Sequence, residues 1–133
     1  MSVLTFRAYE FAMNAHAGQK YGDEPYIHHP VRVADRIGHS DEIGVAVAFL
    51  HDVVEDTEYT LEDLRRNGFQ DEILEAVDAI TRRKNEKYFD YIRRLSENPI
   101  AKRVKIADLQ ENLSQGDLSL STRYYKALKM LSE

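Results

Sequence analysis

Apolar residues recur along this chain at intervals of three and four, and β-branched residues never alternate over a strand-length run. Over residues 3–17, Leu4, Ala8, Phe11, Ala12 and Ala15 share one helical face. The segment GQKYGDEPYIHH (18–29) reads as a loop from its Gly and Pro content, and Pro30 suits the first turn of a helix reaching about Ile37. Ser40-Asp41 can cap a helix over roughly 41–54. Thr60-Leu61-Glu62-Asp63 resembles a capping box for a short helix that ends near Asn67-Gly68. Further helical periods cover 70–80, 86–97, 99–113 and 120–132. The pattern predicts an all-α chain.

One helix stands apart from the others. From Ile43 to Val54, nine of twelve residues are apolar, one is Gly44, and only His51 and Asp52 are polar. A helix that is apolar all round is buried in its domain. The stretch AFLHDVVEDT (48–57) therefore sets an ionisable pair at the end of the most buried helix, with Glu55 and Asp56 one turn on. Buried ionisable groups are costly unless something pairs with them.

Length and composition narrow the setting. At 133 residues, with 43% hydrophobic and 31% charged positions, the chain fits one globular domain, 1–133. No internal repeat, low-complexity tract or linker divides it. Its N-terminus lacks the charged-then-apolar order of a signal peptide, and its longest apolar run, VAVAFL (45–50), is far short of a membrane span, so neither secretion nor a membrane is expected. With no cysteine, disulfides and thiolate metal sites are excluded, which suits the cytoplasm. The net charge of −5 argues against a partner that is a nucleic-acid polymer. Residues 82–105 nevertheless carry nine Lys/Arg against three acids, a segment that reads either as a focus for a small anion or as a solvated helical face.

The candidate chemistry lies in three separated stretches. Imidazole and carboxylate suit a divalent first-row metal. Adjacent His51 and Asp52 diverge by about 100° on a helix, so they reach one ion only if other segments close its far side. His28-His29-Pro30 at a helix start and Asp108 in KRVKIADLQENL supply such segments. Lys105, Asp108 and Asn112 form a polar stripe on an otherwise apolar element. Residue by residue, each also fits a hydrogen-bonded core histidine, a cap or a surface acid, and spacing alone leaves both readings open. His16 and His39 have no evident role.

The order PYIHHP, AFLHDVVEDT, RVKIADLQENL resembles the HD-domain metal-dependent phosphohydrolases. It is most similar to the RelA/SpoT-type hydrolase domain that removes the 3′-pyrophosphate of guanosine tetraphosphate. The likeness runs from about His16 to Asn112, and the HD-x-x-ED block with a downstream A-D-x-x-x-N is specific. The resemblance implies an all-α HD-type bundle of about six to eight helices, in a small stand-alone form with no synthetase domain. It implies His29, His51, Asp52 and Asp108 as metal ligands, His29 rather than His28 because the ligand precedes the proline. Glu55 and Asp56 match the acidic pair that orients water and assists proton transfer, and Asn112 matches a residue shaping the pocket. Manganese is the implied metal, with another divalent ion as the alternative.

The family's approach to the first ligand carries an Arg-Lys pair whose Arg packs on guanine. Here it reads GQKYGDEPY, so Lys20 and Tyr21 are the candidates for substrate contact, and Tyr21 the one that could stack on a base. Arg82 and Lys105 are the candidates for balancing phosphate charge. The implied partner is a small phosphorylated nucleotide, with a homo-oligomer compatible. Two other functions share these residues: a 2′-phosphatase acting on NADPH, and a non-catalytic HD binding module.

Overall fold

A computed structural model of the protein describes residues 1–116 and 118–133. In chain order its elements are α1 (Val3–Ala15), a hairpin of β1 (Lys20–Tyr21) and β2 (Glu24–Pro25), α2 (His28–Ile37), α3 (Glu42–Leu50), α4 (Val53–Asp56), α5 (Leu61–Arg66), α6 (Asp71–Ile80), α7 (Tyr88–Leu95), α8 (Pro99–Ser114), a 3-10 turn (Leu118–Leu120) and α9 (Ser121–Ser132). It is a helical bundle, as the periodicity predicts.

The bundle is organised around α3, whose residues Gly44–Leu50 are all buried. Helices α1, α2, α6 and α8 pack on it, while α9 packs on α7 and α8. Ala8 and Ala12 are fully buried on the inner face of α1, and the Tyr9 ring meets Phe49 of α3 edge to face at 5.6 Å. Local chemistry places the helix starts. Ser2 accepts from the Thr5 N–H, Thr60 and Asp63 form the reciprocal capping box, and Asn98 caps α8 with Pro99 in its first turn.

Two elements differ from the sequence expectation. The helix expected over 41–54 stops at Leu50; His51 and Asp52 form a turn, with Asp52 at φ −105° and ψ −1°, before α4 resumes. The break in the most apolar helix thus falls at the His51–Asp52 pair, whose side chains meet with Nε2 and Oδ2 3.0 Å apart. The expected loop 18–29 contains a two-residue hairpin, with Lys20 opposite Pro25 and Tyr21 opposite Glu24. Its strands are too short for an alternating pattern to register. Gly22, at φ +64°, takes the first turn position, where a tight hairpin favours glycine.

Gly44 tests the capping of α3. Helix propensity alone favours Gly→Ala by about 1 kcal/mol. Here, however, a Cβ would press into the Asp41 carboxyl group, whose Cγ would lie 2.8 Å away, and that carboxylate is the cap that accepts the Gly44 N–H at 3.0 Å. Gly44→Ala is therefore expected to lower the thermal midpoint, since displacing the cap costs about 1 kcal/mol and the new methyl must also find room. Calorimetry reads the sign; a raised midpoint would show the cap to be dispensable.

Candidate metal centre and cavity

His29, His51 and Asp108 come from α2, the end of α3 and α8, and each is buried. One ligand atom from each lies within 4.8 Å of the others. His29 Nε2 is 2.8 Å from Asp108 Oδ1, and His51 Nε2 is 3.3 Å from the same oxygen and 3.0 Å from Asp52 Oδ2. His28, one residue earlier, is exposed.

Surrounding groups fix these side chains. His51 Nδ1 donates to the Ala48 carbonyl at 2.6 Å, which turns Nε2 towards the cluster. The Tyr26 hydroxyl donates to Asp52 Oδ2, and Tyr26 is itself backed by the buried ring of His16 at 4.5 Å. Lys105 Nζ donates to Asp108 Oδ2 at 3.0 Å and lies over the Tyr91 ring. Asn112 Nδ2 approaches Asp108 Oδ1 at 3.4 Å and receives the Tyr21 hydroxyl at 2.5 Å on its own Oδ1. Tyr21 stacks on His29, with ring centroids 4.7 Å apart and planes 16° from parallel.

The electrostatics favour a cation. Burial opposes protonation of His51, yet the carboxylates of Asp52 and Asp108 outweigh it and raise its pKa well above the ordinary value. Burial likewise works to raise the two carboxyls, but Lys105 and His51 hold Asp108 well below the usual range, and His51 brings Asp52 to about 2. His51 Nε2 and His29 Nδ1 are buried without an aligned hydrogen-bond partner. This nitrogen and oxygen donor set fits a divalent metal.

The cluster opens into a cavity of about 1070 Å³ lined by Tyr21, Tyr26, Tyr88, Tyr91 and Tyr124, by Arg32, Arg82, Lys105 and Arg123, and by Glu55 and Asn112 among others. Of the sequence candidates, Tyr21, His29, Asp52, Glu55, Arg82, Lys105, Asp108 and Asn112 line it. Lys20 does not. It is exposed, on the opposite side of a strand from Tyr21. Glu55 faces the cavity with Oε1 accepting the Arg82 backbone N–H at 2.8 Å, whereas Asp56, about 100° further round the helix, is not among the lining residues.

Burial, followed by the neighbouring Asp52 and Glu55 carboxylates, raises Asp56 from the ordinary 3.8 to about 6, although part of the side chain reaches solvent. A carboxyl raised on folding favours the folded state while protonated and opposes it once ionised. Its stabilising contribution is full below pH 3.8 and is lost as pH rises through about 6. In chelator-treated protein, Asp56→Asn is expected to raise the thermal midpoint at neutral pH and to change it little near pH 3.8. An equal shift at both pH values would contradict this.

Sequence reasoning missed several residues. Tyr26 stands inside PYIHHP, three residues before His29, and its aromatic character gave no hint of a carboxylate partner. Glu111 is a buried carboxylate held by Arg32 Nε at 3.0 Å, Arg36 Nε at 2.9 Å and Gln115. Its spacing from Asp108, one turn on, was the available signal. Tyr88, Arg123 and Tyr124 carry no motif. His16 is a buried ring, 2.7 Å from Gln19 Oε1 at its Nδ1, whose pKa burial lowers, and His39 is exposed and paired with Asp35.

Comparison with known proteins agrees with this geometry. A family profile described as an HD domain matches residues 8–113. A GTP pyrophosphokinase of Streptomyces coelicolor is 35% identical over 119 residues, covering 80% of this chain and 14% of the relative. A guanosine-3′,5′-bis(diphosphate) 3′-pyrophosphohydrolase of Haemophilus influenzae is 44% identical over 80 residues, 58% of this chain and 12% of the relative. One of the same description from Aquifex aeolicus is 32% identical over 118 residues, 80% and 17%. The chain thus spans less than a fifth of each of these curated relatives. A solved structure, described as a metazoan ortholog of SpoT that hydrolyzes ppGpp, superposes with a TM-score of 0.77 at 24% identity, over 98% of this chain and 84% of that one, which speaks for the fold. Among the described residues, no helix is long and apolar enough to cross a membrane.

Proposed function

The chain belongs to the HD-domain family, and from that premise we propose that it is a metal-dependent phosphohydrolase that removes the 3′-pyrophosphate of guanosine tetra- or pentaphosphate. The observation that carries the reading is the convergence of His29, His51 and Asp108, with Asp52 3.0 Å from His51, beside a cavity lined by tyrosines and basic side chains. The relatives described as guanosine-3′,5′-bis(diphosphate) 3′-pyrophosphohydrolases support the substrate class. The whole chain would act as one HD unit on a cytoplasmic nucleotide.

His29, His51, Asp52 and Asp108 would hold the metal, for which nitrogen and oxygen ligands and open positions suit manganese. When bound, such an ion supplies Lewis-acid polarisation of a phosphoryl oxygen and a lowered pKa for water. The remaining work falls to the chain. Glu55 is the acid of the Glu55–Asp56 pair that faces the cavity, and it accepts the proton of the attacking water. Asp56 sits behind it and raises the local negative charge. Lys105, fixed on Asp108, offsets charge on the phosphoryl group, and Asn112 with Tyr21 shapes the nucleoside side of the pocket. Water adds across the bond between the ribose 3′-oxygen and its phosphorus. The products are a 5′-phosphorylated nucleoside with a free 3′-hydroxyl, and pyrophosphate.

The test is pyrophosphate release from guanosine tetraphosphate by chelator-stripped protein with and without manganese, alongside phosphate release from NADPH. Release from the tetraphosphate only with metal is expected. No release from any 3′- or 2′-phosphorylated nucleotide, with metal demonstrably bound, would overturn the reading.

A further inference from the structure

The cavity is lined by four cationic side chains besides the histidine, and they are not equivalent. Arg32 is paired with Glu111 and Glu24, both at 3.0 Å, and Lys105 is held on Asp108 at 3.0 Å beside the histidine cluster. Most of the remaining arginines of the basic stretch are also committed: Arg83 to Asp78, Arg93 to Asp90, Arg94 to Glu86 and Arg103 to Asp41. Among the described residues, the guanidinium groups of Arg82 and Arg123 have no carboxylate partner.

Both free guanidinium groups stand over one ring. Arg123 Cζ is 3.5 Å and Arg82 Cζ 5.5 Å from the centroid of Tyr88, at the start of α7. Cation–π attraction offsets part of their cost, but two like charges gathered at one ring repel each other. The Nε of Arg123 and the hydroxyl of Tyr88 are moreover buried without a hydrogen-bond partner. Buried donors left unmade are expensive, so a protein rarely assembles several in one place without something to accept from them.

Arg82 is also held ready. Its Nε donates to the Glu86 carbonyl at 3.0 Å, and its backbone N–H is taken by Glu55. Glu86 is in turn gripped by the Arg94 fork at 2.8 and 2.9 Å. The loop that presents Arg82 is thus fixed by other side chains, leaving its terminal nitrogens without a partner among the described residues. Two planar guanidinium groups and a hydroxyl donor, preorganised and without a carboxylate among the described residues, match the oxygens of a phosphate group.

We propose that Arg82, Tyr88 and Arg123 form a second anion site, which takes a phosphate group of the nucleotide remote from the one hydrolysed at the His29–His51–Asp108 cluster. This rests on the phosphohydrolase reading and deepens it: the preferred substrate carries a second phosphate group besides the one hydrolysed.

Calorimetric titration with guanosine 5′-diphosphate, and with guanosine as the phosphate-free control, reads this site without turnover. In Arg82→Met and Arg123→Met, which keep the apolar stem, the diphosphate is expected to bind about 10-fold or more weakly, the effect of losing a charge-assisted hydrogen bond. Guanosine binding is expected to be unchanged, and Arg123→Lys to recover part of the loss by restoring charge without the fork. In turnover of guanosine tetraphosphate the loss appears in KM rather than kcat, as befits a group touching only the remote phosphate. Thermal melts confirm that each variant is folded. Diphosphate binding undetectable in the parent, or unchanged in both methionine variants, overturns the second site even if hydrolysis is found. Binding that falls in both variants in a protein that hydrolyses nothing upholds the site and overturns the hydrolase reading alone.

Discussion

Replacing Asp108 with alanine is expected to lower the unfolding free energy by about 3–5 kcal/mol, the cost of leaving buried charge without its partner. Asp108 is 4% exposed, and around it lie Lys105 Nζ at 3.0 Å, His29 Nε2 at 2.8 Å and His51 Nε2 at 3.3 Å. The Lys105 side chain is only 14% exposed, so its ammonium cannot simply move into water, and the Tyr91 ring beneath it offers partial compensation only. A loss of this size is a large share of the 5–15 kcal/mol that holds a typical domain together, at about the scale where single changes unfold proteins. Asp108→Asn is expected to cost less, because the amide keeps the volume and can still accept from Lys105. Urea unfolding of the metal-free proteins measures both. An alanine variant as stable as the parent would mean that Lys105 finds another partner.

Asp52→Asn is the complementary case, with a large effect on activity and a small one on stability. Asp52 is 20% exposed at its side chain, and an amide oxygen can still accept from Tyr26, so the fold should hold. Removing an outer-shell partner of a metal typically costs 10–100-fold, and losing a ligand's charge should cost more than about 100-fold in metal-dependent turnover. A merely structural HD module would instead show a modest change in melting and nothing else. Metal-dependent pyrophosphate release comparable to that of the parent would remove Asp52 from the ligand set.

The basic stretch 82–105 shows what local patterning conceals. Its nine cations look alike in the sequence. In the fold, Arg83, Arg93, Arg94 and Arg103 are committed to surface or loop-stabilising ion pairs. Lys105 is buried on Asp108, and Arg82 alone of the arginines in the stretch faces the cavity. Lys20 and Tyr21 make the same point on a smaller scale. They are neighbours in sequence, yet one strand step sends them to opposite sides.

The helices and the histidine and carboxylate types of the candidate cluster were determined by the sequence alone. Periodicity, caps such as Thr60-Asp63 and Asn98-Pro99, and the apolar run into His51-Asp52 act over a few residues, and such short-range signals are written in order along the chain. Tertiary structure alone decided the break after Leu50, the convergence of His29, His51 and Asp108, the partners of each cation, and the meeting of Arg82 with Arg123 over Tyr88. His29 finds Asp108, and Arg32 finds Glu111, across 79 residues of chain. Which charges are cancelled and which remain free to bind depends on how helices pack around α3, and no local spacing carries that information.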